Sequence, residues 1–201
     1  MKRPAGTPPS HSYEGQVLIA MPGLRDGPFA RSVVYMCAHR GDGAMGIVIN
    51  QRAEEIDFPH LLTQLEIVSK AEAIRLPATV GALPVLRGGP VDTGRGFVLH
   101  SSDYHAGAAT VRIDRHVSLT ATLDILRAIA AGEGPKQAVL ALGCAGWASG
   151  QLESEILDNA WLVGAIKPDL IFNQDFPQKY ERALAGLGVN AAMLSAQAGH
   201  A

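Results

Sequence analysis

Ser32-Val33-Val34-Tyr35-Met36-Cys37-Ala38-His39-Arg40-Gly41-Asp42-Gly43-Ala44-Met45-Gly46-Ile47-Val48-Ile49 is the stretch on which the fold class turns. Gly41 to Gly46 satisfies G-x-G-x-x-G, which in a dinucleotide site must follow a strand and open a helix whose N-terminus holds the pyrophosphate. Here the third glycine runs straight into Ile47-Val48-Ile49, a β-branched apolar run that reads as a strand. Ser32 to Cys37 reads the same way. Two strands joined by a short Gly-Asp-Gly connection predict an antiparallel hairpin rather than a nucleotide loop. Arg40-Gly41-Asp42 is turn chemistry, not an adhesion signal.

Upstream, Val17-Leu18-Ile19-Ala20-Met21 is a buried strand stopped by Pro22-Gly23. The Pro-, Gly- and Ser-containing segment 1–14 is expected to be a disordered leader, and residues 15–201 a single domain. The leader has two basic residues but no apolar stretch behind them, so a signal peptide is not expected. Downstream, Asp57-Phe58-Pro59 opens a helix, with Asp57 able to cap free N–H groups and Pro59 harmless in the first turn. The stretch 68–79 is ambiguous. Val85-Leu86, Gly96 to His100 and Thr110 to Ile113 read as strands. The spacing of Leu119, Leu123, Leu126 and Ile129 predicts a helix over 119–131, ended by Gly132. Gln137 to Leu142 is a further strand, followed by a bend at Gly143 to Trp147 and a helix over 150–157. Trp161 to Ile166 is a strand, and Asp175-Phe176-Pro177 starts a last helix. Strands early and a mixed order later give an α+β domain.

The chain has 201 residues, 47% of them apolar and 18% charged, with net charge −2. One domain of this size removes roughly 70% of its unfolded surface from water and needs no disulfide or metal to fold. Seventeen basic against nineteen acidic residues leave no global footprint for phosphate backbones, so direct duplex-DNA binding is not expected. Two cysteines and no C-x-x-C pair exclude a disulfide framework and a zinc ribbon. No apolar run approaches the roughly 20 residues of a membrane span. These features lead to an expected cytoplasmic protein with no cofactor, no metal and no membrane partner, monomeric or weakly homodimeric.

Cys144 sits between a strand and a helix, where a thiolate can be stabilised, but G-C-A-G is not a nucleophile elbow and no histidine is close in sequence. The seven histidines form no H-x-x-x-H or H-x-H pair. Ser101 and Ser102 lack G-x-S-x-G. No catalytic residue is assigned. The more informative pieces are Arg87-Gly88-Gly89-Pro90 and Gly143 to Trp147, where small residues at strand ends let backbone N–H groups face a ligand. They are predicted to lie together and frame one ligand site of Arg87, Gly88, Gly89, Pro90, His100, Gly146, Trp147, Gln151 and Glu153.

Taken together, Gly15-x-x-Leu18-Ile-Ala-Met-Pro22, Ser32-Val-Val-Tyr35, Gly43-Ala-Met-Gly46-x-Val48-x-Asn50, Gly88-Gly-Pro-Val91, Arg95-Gly-Phe-Val-Leu-His100 and Ala145-Gly-Trp147 with Gln151-Leu-Glu153 resemble the AlgH/YqgE family of small bacterial proteins. The resemblance runs from Gly15 to the closing Gly199-His200-Ala201. It implies a branched, largely antiparallel sheet with a small barrel-like part, surrounded by helices. It also implies the label of transcriptional regulator that members often carry. The family usually shows an aromatic residue, commonly Tyr, where this chain has Cys144, which argues against an essential thiol. Three functions stay open: a non-enzymatic regulatory or ligand-binding protein with a small-molecule or protein partner, an enzyme of unknown class using Arg87, His100 and Glu153 in a pocket at the two bends, and a DNA-binding regulator. The absence of a recognisable helix-turn-helix speaks against the last.

Overall fold

The structure, a computed structural model, describes residues 12–24, 27–190 and 194. Strands β1 (Val17–Ala20), β2 (Val33–Arg40) and β3 (Gly43–Val48) come first. Helices α1 (Phe58–Gln64), α2 (Lys70–Ala73) and α3 (Ala78–Gly81) follow. Then come β4 (Val85–Arg87), β5 (Val91–Ser101), β6 (Thr110–Arg112), β7 (Val117–Thr120) and α4 (Leu123–Ala130). The chain continues through β8 (Ala138–Ala148), α5 (Gln151–Leu157), β9 (Trp161–Gly164), α6 (Asp169–Phe172) and α7 (Lys179–Gly186).

The strands form one sheet in the order β6-β7-β5-β8-β3-β2-β1-β9, with β4 added beside β8. All pairs are antiparallel except β4 with β8. The sheet curls into a half-barrel and the fold is α+β. It branches along β8: Leu140–Leu142 pair with β4, and Ala145–Ala148 pair with β3. The hairpin expected from residues 32–49 is present, with Arg40 opposite Gly43. Asp57 caps α1 by accepting the His60 N–H at 2.8 Å.

Gly143 is the hinge of this architecture. Before it, Val139 and Ala141 face one core, shared with Tyr35, Ile47, Phe97 and the side chains of α6 and α7, while Leu140 faces a second core under α1 and α4. After it the parity reverses: Cys144 faces the shared core, while Ala145 and Trp147 face a third one with Val34, Met36 and Trp161. A strand's side chains alternate strictly, so one extra residue moves every following side chain to the other face. Gly143 is that residue, at φ +74°, in the left-handed region glycine adopts at no steric cost.

Three sequence expectations change. Gly143 to Trp147 is not a bend; β8 runs through it to Ala148. The predicted helix 119–131 is a strand plus a shorter helix, because Val117–Thr120 pairs with β5 and α4 starts only after Thr122. The segment at Asp175 begins as a 3-10 turn, Phe176–Gln178, before α7. Of the expected leader, residues 1–11 lie outside the described residues, as does the closing Gly199-His200-Ala201. Tyr13 already packs on the domain, its ring stacked 5.0 Å from that of His39.

Lys179 ties the last helices to the sheet. It is fully buried, and its Nζ donates to the carbonyls of Ile49 at 3.0 Å and Ile171 at 2.8 Å. Burial pulls its pKa down to about 7.

Candidate functional site

The opening of β5 does not pair regularly with β8. Val91 stands opposite Cys144 and Gly96 opposite Leu142, so the four residues Asp92 to Arg95 face Gly143 alone. They loop outward as a large bulge, and Asp92 adopts φ +51°, a conformation that strains a non-glycine residue. Beneath the bulge two backbones press together. A Cβ on Gly143 would come 2.5 Å from the Gly89 carbonyl oxygen, and one on Gly89 2.2 Å from the Cys144 carbonyl carbon. The glycines are there to let chains touch.

The bulge carries Arg95 onto an apolar surface. Its guanidinium lies 5.1 Å from the centre of the Phe97 ring, and among the described residues no carboxylate comes within ion-pair distance of it. On one side is a hollow of about 440 Å³ lined by Met45, Phe97, Val111, Leu119 and Cys144, with Asp92 at its edge. On the other is a hollow of about 280 Å³ walled by Leu61, Leu65, Leu123, Leu126 and Leu140. Arg95, Ala121 and Thr122 belong to both. Val111, Leu65 and Leu123, three large apolar side chains lining these hollows, are left in contact with water. The Cys144 thiol at the cleft wall is pushed up by burial and by the nearby Asp92 carboxylate, with Arg95 opposing. That environment disfavours a thiolate.

The AlgH-like family model matches residues 17–192. The chain belongs to the AlgH-like family. A UPF0301 protein of Rhodopseudomonas palustris is 61% identical over 188 residues, covering 94% of this chain and 86% of the relative. One of Methylobacterium nodulans is 57% identical over 197 residues, covering 98% and 94%. The solution structure of the AlgH protein from Pseudomonas aeruginosa covers 100% of both chains at 39% identity, with a TM-score of 0.74. A crystal structure of a Corynebacterium diphtheriae protein, 19% identical over 97% of this chain and 94% of its own, shares the fold with a TM-score of 0.67.

In this AlgH-like chain the residues proposed from sequence occupy three separate places. Gly88, Gly89 and Pro90 do come to the Gly143 segment, but Gly88 spends its polar groups on the sheet: its N–H donates to Leu142 at 2.8 Å and its carbonyl accepts from Val48 at 2.8 Å. Arg87 turns to the surface and pairs with Glu55 at 2.7 Å. His100 lies toward the other end of β5, opposite Ala138, fully buried. It is held by the Ser101 carbonyl at Nδ1 (2.9 Å) and by the Thr120 hydroxyl at Nε2 (3.0 Å). The carbonyl can only accept, so Nδ1 carries the proton. Burial lowers the His100 pKa, which holds the ring neutral.

Gly146, Trp147, Gln151 and Glu153 form the third place, around α5. Trp147 and Trp161 both donate their indole N–H to Glu155 Oε2, at 2.8 and 2.7 Å, while Gln151 donates to Glu155 Oε1 at 2.9 Å. Glu153 receives a hydrogen bond from buried His39 at 2.9 Å, whose other ring nitrogen accepts the Tyr13 N–H at 3.1 Å. Glu155 organises this cluster; the sequence puts it four residues beyond Gln151 on the same helical face, but the predicted site left it out. Arg95 was quoted only as part of a motif. Its signal was a lone cation between Gly94 and Gly96 at the edge of an apolar strand.

Proposed function

We propose that this AlgH-like protein is a non-enzymatic binding protein whose ligand is an amphipathic carboxylate, seated in the cleft at the β5 bulge. The observation that carries the reading is Arg95, a cation with no carboxylate partner among the described residues, set between two apolar hollows. Binding sites for small molecules are concave, mostly apolar, and carry a few fixed polar groups that orient the ligand. The apolar body covers Leu123 and Val111, and the carboxylate meets the planar fork of Arg95. Asp92 on the cleft edge selects against a second negative charge. Regulation would act through occupancy, since a seated ligand changes what this face offers to a partner. Calorimetric titration with decanoate tests the reading. Saturable binding is expected, weakened about tenfold by Arg95→Gln, the loss that goes with one charge-assisted contact. Binding unchanged by that substitution, or absent, overturns it.

A further inference from the structure

At the far end of β5 the chain forms a second concavity, of about 480 Å³, between the β5–β6 turn, the β6–β7 turn and the loop before β8. Three cations line it, Arg112, Arg115 and Lys136, and among the described residues none has a carboxylate within ion-pair distance. Of the carboxylates nearby, Asp103 is occupied by the Ser101 hydroxyl and by the Lys136 backbone N–H at 3.3 Å. Asp114 accepts the His116 and Val117 N–H groups at 2.6 and 2.7 Å and the Tyr35 hydroxyl at 2.8 Å, so its oxygens are spent inside the fold.

The arginines are held in place. Arg112 donates through Nε to the Asp114 carbonyl at 3.2 Å and, more loosely, through Nη2 to the Arg115 carbonyl at 3.4 Å, which leaves Nη1. Arg115 donates through Nε to His116 Nε2 at 2.8 Å, which leaves both terminal nitrogens. No protein acceptor takes the Lys136 ammonium among the described residues, and the Ser102 hydroxyl on the rim has one distant partner, Ser118 at 3.5 Å. Phe172 and Pro168 close one wall with apolar surface.

We infer that this pocket is an oxyanion site for a phosphomonoester. Three cations against the one carboxylate that lines the pocket, Asp103, leave a positive surplus that suits a phosphate. The guanidinium forks supply paired N–H donors to its oxygens, and the Phe172 wall takes the organic group that the ester carries. The site is independent of the β5-bulge cleft, and either can stand if the other fails.

The test is a titration of the full chain, followed by amide NMR, with inorganic phosphate and with phenyl phosphate. Saturable shifts at Ser102, Arg115 and Lys136 are expected for both, with phenyl phosphate tighter and also shifting Phe172. Equal affinity for the two would assign the pocket to free phosphate rather than an ester and overturn the ester claim. The double variant R115Q/K136Q, both positions exposed, should keep the wild-type spectrum elsewhere and weaken phosphate binding at least about tenfold. Unsaturable binding, or binding unchanged by the double variant, overturns the site. Duplex DNA binding more tightly than phenyl phosphate through these residues would replace the small-molecule reading with a nucleic-acid one.

Discussion

The two parts of β8 beyond Gly143, one around Cys144 and one around Trp147, do opposite things. Around Trp147 the polar groups named above are matched: two indoles and Gln151 on Glu155, and His39 on Glu153. Around Cys144, under the β5 bulge, large apolar side chains stay open to water and Arg95 stands without an acid partner among the described residues. A satisfied network rigidifies a core, whereas unmatched apolar and charged surface is what a ligand completes. Gly-Trp and Glu-rich patterns can therefore mark packing, and a plain Asp-Thr-Gly-Arg run can mark a cleft.

The largest effect is expected at Gly143, where the facing of β8 reverses. Gly143→Ala puts a Cβ into the Gly89 and Val91 carbonyls at a left-handed φ, and should cost about 3 kcal/mol or more by chemical denaturation. A loss under 1 kcal/mol would mean the crossing is loose and the parity shift not enforced. Next, Glu155→Ala leaves two buried indole N–H groups without an acceptor, at about 1–3 kcal/mol each, with a red shift of tryptophan emission. Unchanged emission and stability would move the Trp147 end out of the class of packing.

The hairpin at 32–49 and the Asp57 cap were legible because their chemistry is local: a Gly-Asp-Gly turn, and a carboxylate three residues before a free N–H. Strand β7 was hidden because Val117 to Thr120 is buried on both faces and shows no alternation, and because Leu119 falls in register with the leucines of α4. Helices α2, α3 and α6 have four residues each, too short for a helical period to show. Arg95 was illegible as a site residue because its meaning comes from the register offset between β5 and β8, a pairing between segments some fifty residues apart.

A third test uses Lys179, whose folded pKa lies below its unfolded value. The unfolded chain then binds more protons between about pH 7 and the ordinary lysine range. This group alone makes stability rise with pH across that window, by up to about 1.4 kcal/mol per pH unit, and level off below it. Lys179→Met should flatten that slope. At pH 8.5, where the amine is already neutral, it should also destabilise by leaving the Ile49 and Ile171 carbonyls unpaired. A slope that survives the substitution would assign the pH dependence elsewhere. Smaller still, Cys144→Ala should fold with less than about 2 kcal/mol of loss and bind decanoate as the wild type does, because a thiol pushed up by burial is wall rather than reagent. Arg87→Ala should leave the melting temperature unchanged, since its pair with Glu55 is open to solvent on both sides.

The contrast between the two ends is tested most directly by one NMR titration of the full chain with decanoate. The account predicts saturable amide shifts at Arg95, Thr122 and Cys144, with the Trp147 and Trp161 indole signals still. Indole signals that move while the Arg95 region stays silent would contradict it, and would return the site to the tryptophan end of β8.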